Sequence, residues 1–233
     1  MCVSCSRRLF VGGVVASLLV TPALGAVAPK GLKGCNFSAA DSEPPELRPT
    51  SGNDDLDRAL IIELRNILKV IPNINPGFQY MVDVNPNAFA TTETLLPGTS
   101  GTVLFGINLI NYLLKEPDGG AAVAGMCAHE CGHIYQYNNG IQKRLAAVLL
   151  TELHADFIAG IYMGKRAGFN ADRVKQFSDA LHNAGDYAYA EPTYHGTPGQ
   201  RSAAMEKGYR IAFGNQSFEE MSSIGETYVR NLA

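Results

Sequence analysis

Ala121–Tyr137 reads AAVAGMCAHECGHIYQY, a run without proline that spells a helix and carries His129-Glu130-Cys131-Gly132-His133. Four residues turn an α-helix through roughly 400°, so the imidazoles of His129 and His133 leave the same face. Two nitrogen ligands on one face with a carboxylate beside them form the H-E-x-x-H pattern of a catalytic zinc site. In that arrangement Glu130 is the expected general base for a water molecule activated by the metal. Gly132 permits close approach at the helix face. A motif this short also arises by chance, so the rest of the chain must supply what it lacks.

A zinc site of this kind needs a third protein ligand and an open position. The next long helical pattern, Arg144 to Arg166, contains Thr151-Glu152-Leu153-His154-Ala155-Asp156. Glu152 and Asp156 are four apart and share a face. Their surroundings are apolar (Leu145, Val148, Leu149, Leu150, Phe157, Ile158, Ile161), and two carboxylates on a mostly buried helix require a partner, of which a cation is one. A helical hairpin therefore makes Glu152 the expected third ligand. Asp156 is then the acceptor for the free ring nitrogen of a ligand histidine. The alternative is an exposed acidic face. His154 turns about 200° away from both, which makes it a surface residue, or a ligand if the helices meet in another register.

Downstream, Tyr194-His195-Gly196-Thr197-Pro198-Gly199-Gln200-Arg201 puts a histidine and a tyrosine on a Gly/Pro loop before a helix. His195 or Tyr194 can donate a hydrogen bond to an oxyanion there, and Arg201 can hold the loop by pairing with Asp156 or Glu152. The competing reading is a turn that docks the last helices, with His195 in a structural hydrogen bond.

Upstream, Asp54 to Val70 is an amphipathic helix with Asn53 or Asp54 as its cap and Pro72 as its stop. Phe78 to Val84, Ala88 to Thr92 and Thr102 to Ile107 read as strands, followed by a short helix from Ile107 to Leu114. Further helices are expected at Ala171 to Asn183, Gln200 to Phe213 and Phe218 to Leu232. Strands first and helices later indicate an α+β fold, a small N-terminal sheet packed on a helical bundle that carries the motif helix.

The ends and the composition set the context. Ser6-Arg7-Arg8-Leu9-Phe10 resembles the twin-arginine export signature, and a short apolar stretch follows to Val20. Residues 1–25 are therefore expected to be a signal peptide cut after Gly25, or an N-terminal anchor if uncut, and the protein to be periplasmic or extracellular. That pathway carries folded proteins, so a metal can be loaded first. Residues 26–53, rich in Pro, Gly and Ser, read as a linker or arm, and 54–233 as one domain. Loss of the signal leaves Cys35, Cys127 and Cys131, an odd number. A bridge between Cys127 and Cys131 would strain their helix. Cys131 points about 200° away from the histidines, so both read as small buried residues rather than ligands. The 233 residues are 46% hydrophobic with a formal charge of -3, which suits one globular domain and leaves no footprint for nucleic acid.

Taken in order, H-E-C-G-H (129–133), E-L-H-A-D-F-I-A-G (152–160) and H-G-T with Gln200-Arg201 (195–201) resemble the bacterial neutral zinc metallopeptidases, over about Val123 to Gly208. The resemblance implies a gluzincin-type, zincin-like fold, one zinc ion held by His129, His133 and Glu152, Glu130 as base, and hydrolysis of a peptide or protein substrate. In the N-terminal half, Asn87-Ala88-Phe89-Ala90 and Gly101-Thr102-Val103-Leu104-Phe105 are more similar to zinc peptidases related to the membrane CAAX proteases. By that resemblance Ala88 to Thr91 is an edge strand bordering the cleft, open to an extended substrate; a purely structural edge strand fits as well. No spanning helix is expected in the mature region. Two other functions fit the same residues: a metal hydrolase acting on a non-peptide amide or ester, and a non-catalytic, zinc-stabilised binding or chaperone-like domain.

Overall fold

The computed structural model describes residues 26–27, 33–34, 37–38, 45–84, 86–170, 173–174 and 195–232. The fold is α+β and mostly helical. Among the described residues there are seven strands, β1 (Ala26–Val27), β2 (Lys33–Gly34), β3 (Phe37–Ser38), β4 (Glu46–Arg48), β5 (Gly77–Met81), β6 (Ala88–Thr91) and β7 (Thr102–Gly106). The seven helices are α1 (Asp54–Val70), α2 (Ile107–Leu113), α3 (Gly119–Asn138), α4 (Ile141–Leu145), α5 (Val148–Lys165), α6 (Pro198–Ile211) and α7 (Phe218–Leu232). The expected signal segment and Cys35 lie outside the described residues, as does all of the helix expected at 171–183 except Arg173 and Val174.

The sheet runs β1-β4-β5-β7-β6-β2-β3. Its body is the mixed four-strand set β4-β5-β7-β6, in which β5 and β7 are parallel and the outer pairs antiparallel. Side chains alternate across these strands. Ala88, Ala90, Val103 and Phe105 enter the main core with the helices, while Phe89 and Leu104 join Leu47 and Met81 on the opposite face. The segment read as a linker or arm thus contributes strands of its own. Two expectations change as a result. Ala88–Thr91 is not the outermost strand, because Gly34 of β2 pairs with Thr91. The strand expected to reach Val84 ends at Met81. Beyond it, Asp83 turns to receive the Asn108 and Leu109 amides at 2.7 and 3.0 Å, capping α2, whose N-cap Gly106 has no side chain for the task.

α3 and α5 are buried on nearly all sides, α3 from Ala121 to Gln136 and α5 from Thr151 to Met163, as suits helices at the centre of a bundle. α1 and α7 lie outside them and are amphipathic, with Asp residues in the first turn of α1 and Glu219 and Glu220 in that of α7. The Asn53 side chain accepts from the Asp55 and Leu56 amides at 3.1 and 3.2 Å and starts α1.

The helix expected from Arg144 to Arg166 is broken. α4 ends at Leu145, Ala146 takes a left-handed conformation (φ 59°), and α5 begins at Val148. α5 and α6 then cross backbone to backbone. A Cβ on Gly160 would lie 2.0 Å from the Met205 carbonyl oxygen, and one on Gly208 would lie 1.9 Å from that of Phe157. Only glycine allows this approach, which brings Arg201 of α6 against Asp156 of α5. α6 itself starts with a capping box between Thr197 and Gln200 and has Pro198 in its first turn.

Candidate metal centre

α3 supplies His129, Glu130 and His133, and the antiparallel return through α4 lays α5 beside it with Glu152 facing the two imidazoles. The His129 and His133 rings stand perpendicular, with centroids 4.6 Å apart. Their Nε2 atoms are 3.0 Å apart. Glu152 straddles them, with Oε2 3.4 Å from His129 Nε2 and Oε1 3.4 Å from His133 Nε2. Ligands about 2.0–2.1 Å from a tetrahedral zinc sit about 3.3 Å from one another, and each of these three separations is of that size, with the two to Glu152 running to different oxygens. Neither oxygen of Glu152 has a hydrogen-bond partner, although the residue is fully buried. Buried polar atoms left in this state are costly, and a cation at the shared point relieves both oxygens. His129, His133 and Glu152 can therefore hold a metal ion.

Charge is arranged around this point. Arg201 donates twice to Asp156, from Nε at 2.8 Å and from Nη2 at 2.9 Å, and Nη2 lies 3.9 Å from Glu152 Oε2. Asp156 Oδ1 in turn faces His129 Nδ1 at 2.8 Å. Burial alone would raise the Asp156 carboxyl, but the charges of Arg201 and His129 outweigh it and hold it below the usual range. Burial alone would lower His129, and the Asp156 carboxylate outweighs it, so its proton affinity rises. Glu152 follows the same logic: burial pushes up, while the charges of His133 and His129 bring it well below the carboxylate range. Glu130 goes the other way. Burial raises it, and the nearby histidines only partly compensate. One of its oxygens, Oε2, is buried without a hydrogen-bond partner.

Five of the residues singled out from the sequence are thus joined in one contact network: His129, His133, Glu152, Asp156 and Arg201. Glu130 lies beside the network, within the electrostatic reach of its histidines. His195 sits half-buried on the loop entering α6, and none of the cluster contacts above runs through it. At the next residue, Gly196, a Cβ would meet Leu149 and Leu153 of α5 at 3.0 and 3.3 Å, so this loop crosses α5 next to Glu152. Gly132 packs against Ile158 of α5, where a Cβ would be 3.3 Å from Cγ2. Cys127 and Cys131 are buried and unbridged, and burial pushes both thiols up.

Two residues stand differently from the sequence reading. His154 is neither at the surface nor among the ligands. It is fully buried, with Nδ1 3.2 Å from Gln136 Nε2 and Nε2 3.0 Å from the Ser222 carbonyl of α7, and burial brings its pKa down to about 4. Gln136, which the motif pattern does not single out, lies one turn after His133 on the same helix face; its Oε1 is 2.9 Å from His133 Nδ1. Compared with known proteins, the chain matches no family model, no curated sequence and no solved structure.

Proposed function

We propose that the protein is a zinc-dependent peptidase of zincin-like architecture that acts outside the cytoplasm after export. The observation that carries this reading is the convergence of His129 Nε2, His133 Nε2 and the unpartnered Glu152 carboxylate on one point, with the Glu130 carboxylate buried beside it. Two imidazoles and one carboxylate leave a tetrahedral zinc one position short, which is the catalytic rather than the structural pattern. A bound zinc ion supplies Lewis acidity, polarising a carbonyl and acidifying a water molecule. Glu130 takes the proton of the attacking water at Oε2, its atom without a partner, and passes it to the departing amine. Its raised proton affinity suits a base that must hold a proton briefly. Asp156, kept ionised by Arg201, pairs with the Nδ1 edge of His129 at 2.8 Å, which leaves Nε2 toward the metal position. His195 is assigned the oxyanion hydrogen bond on the strength of the loop's position beside Glu152. Ser6-Arg7-Arg8-Leu9-Phe10 supports export, and among the described residues no helix is long and apolar enough to cross a membrane.

One observation favours a second reading, a non-catalytic domain stabilised by its metal. His129 is 2% exposed and Glu130 3%, so a peptide carbonyl reaches them only when the surrounding chain opens. The two readings part at Glu130, since a structural zinc site needs no base. Wild type and Glu130→Gln are loaded with zinc, their metal content is measured, and both are assayed on casein and on a panel of amides and esters. The expected result is full zinc in both proteins and turnover on casein at least about a hundredfold lower in the variant. Zinc retained with no turnover by wild type favours the structural reading. Turnover confined to small amides or esters removes the peptidase assignment, and a wild type that cannot be loaded removes the site.

A further inference from the structure

The Gln136 side chain sits at a junction where every donor and acceptor can be assigned. Its Nε2 is 2.7 Å from the Thr151 carbonyl oxygen. A carbonyl only accepts, so the amide nitrogen, not its oxygen, must face it. The second amide hydrogen points to His154 Nδ1 at 3.2 Å. That nitrogen is free to accept, because the other ring nitrogen of His154 faces the Ser222 carbonyl at 3.0 Å and must carry the ring proton to donate there. With both amide hydrogens committed, Gln136 Oε1 is left facing His133 Nδ1 at 2.9 Å, and an oxygen in that place accepts a hydrogen bond from the Nδ1–H group. His133 is therefore held with its proton on Nδ1 and its Nε2 lone pair toward Glu152 and His129. All five side chains and backbone groups in this circuit are buried, so water does not offer a substitute partner.

We propose that Gln136 is a positioning residue for His133: its amide, oriented by the Thr151 carbonyl and by His154, selects the ring tautomer and aims Nε2 at the metal position. The circuit reaches α7 through Ser222, so the last helix of the chain sets the geometry of a ligand on the motif helix. The proposal rests on the metal-site reading above and adds to it a residue that touches neither substrate nor metal.

The test uses the full chain, zinc as the probe, and Gln136→Met, which keeps the length of the side chain and removes both hydrogen-bonding functions. Zinc affinity is measured by competition with a chromophoric chelator, and exchange of the imidazole Nδ1 protons with water by NMR of the zinc-loaded protein. The expected result is a ten- to hundredfold loss of zinc affinity. Exchange of the His133 Nδ1 proton becomes fast in the variant, while that of His129, held by Asp156, stays slow. Gln136→Glu returns an acceptor to His133 and loses the bond to Thr151, so it recovers zinc affinity toward wild type even though it is less stable. Equal zinc affinity in wild type and Gln136→Met overturns the proposal while leaving the metal site standing. A variant that is merely less stable, with slow His133 exchange retained, overturns it too. Should Gln136→Met fail to fold, the wild type decides alone: a His133 Nδ1 proton that exchanges as fast as that of an exposed imidazole overturns the proposal. A wild type that takes up no zinc overturns the proposal together with the reading beneath it.

Discussion

The two imidazoles of the cluster are braced from different sides of the molecule by different chemistry. On the α5–α6 side, His129 rests on Asp156, and Asp156 on the bidentate Arg201. On the α7 side, His133 rests on Gln136, then His154, then a backbone carbonyl. The first brace is ionic and the second neutral. A charged brace raises the basicity of its imidazole, the direction of the shift at His129, and it gathers negative charge where a metal ion could be held. A neutral brace orients without adding charge. With Glu152 already an anion, a second carboxylate behind His133 would demand another buried cation to offset it, and among the described residues Arg201 is the one buried Lys or Arg side chain. The pairing of one ionic and one neutral support is thus a solution to a charge constraint in a dry site.

Breaking the ionic brace has the largest expected effect. Arg201→Met leaves Asp156 buried without its counter-ion, a situation that typically costs about 3–5 kcal/mol. Denaturant unfolding of the metal-free protein measures it. A loss below about 1 kcal/mol would mean that the Asp156 charge is neutralised some other way and that the brace is not ionic in solution.

The neutral brace is tested by forcing a charge onto it. His154 has a folded-state pKa of about 4 against 6.5 for the free side chain. Above pH 6.5 both folded and unfolded chains carry it neutral, and its contribution is fully present. As pH falls from 6.5 to 4 the unfolded chain takes a proton that the folded protein refuses, so stability drops by about 1.4 kcal/mol per pH unit, about 3 kcal/mol in total. Below pH 4 the loss levels off. The comparison of wild type with His154→Asn, both free of metal, isolates this residue: the pH dependence of their stability difference must fall within that window. A flat difference would show that His154 is already hydrated or charged.

How far these braces are legible in the sequence depends on the range of the contacts. Local signals are strong for α1, where Asn53 and the apolar spacing define the start and Pro72 the stop, and for α3 and α7. The face shared by Glu152 and Asp156 follows from helical spacing alone. The break at Ala146 does not, because alanine is the best helix former and gives no sign that tertiary packing will place it in the left-handed region. The strands of residues 26–48 form by pairing, β4 with β5 and β2 with β6 and then β1 and β3 on these, so their Pro- and Gly-rich sequence reads as loop. His154 is legible as turned away from the ligands, but what it meets lies on α7, 68 residues later. Asp83 is similar: its partners at 108 and 109 come from across the sheet. Helical residues that could hold a metal reveal themselves by period, whereas the groups that orient them are assembled by the fold.

Gly208→Ala probes the ionic side without touching any charged group. Its Cβ meets the Phe157 carbonyl at 1.9 Å, so α6 must shift away from α5 and take Arg201 with it. The expected cost is about 1–3 kcal/mol, with zinc affinity reduced through the Asp156–His129 contact. In NMR of the zinc-loaded variant, exchange of the His129 Nδ1 proton should quicken and that of His133 should not. Equal effects on the two protons would mean that the braces are one mechanical unit rather than two.

The smallest effect is expected where the same ionic chemistry meets solvent. Arg144 of α4 pairs with Glu226 of α7 at 3.0 and 2.7 Å, a bidentate geometry much like that of Arg201 with Asp156. The difference is exposure: the Arg144 side chain is 51% exposed, so water already solvates its charge and the pair gains little on forming. Arg144→Ala should cost less than about 1 kcal/mol, and less still in high salt. Because Glu226 shares α7 with Ser222, the variant also asks whether the neutral brace leans on that surface pair. If α7 is held by its buried residues Phe218, Met221 and Val229, the His133 proton stays slow to exchange and zinc affinity is unchanged. A loss of zinc affinity in Arg144→Ala without a matching loss of stability would instead extend the support of His133 out to the molecular surface.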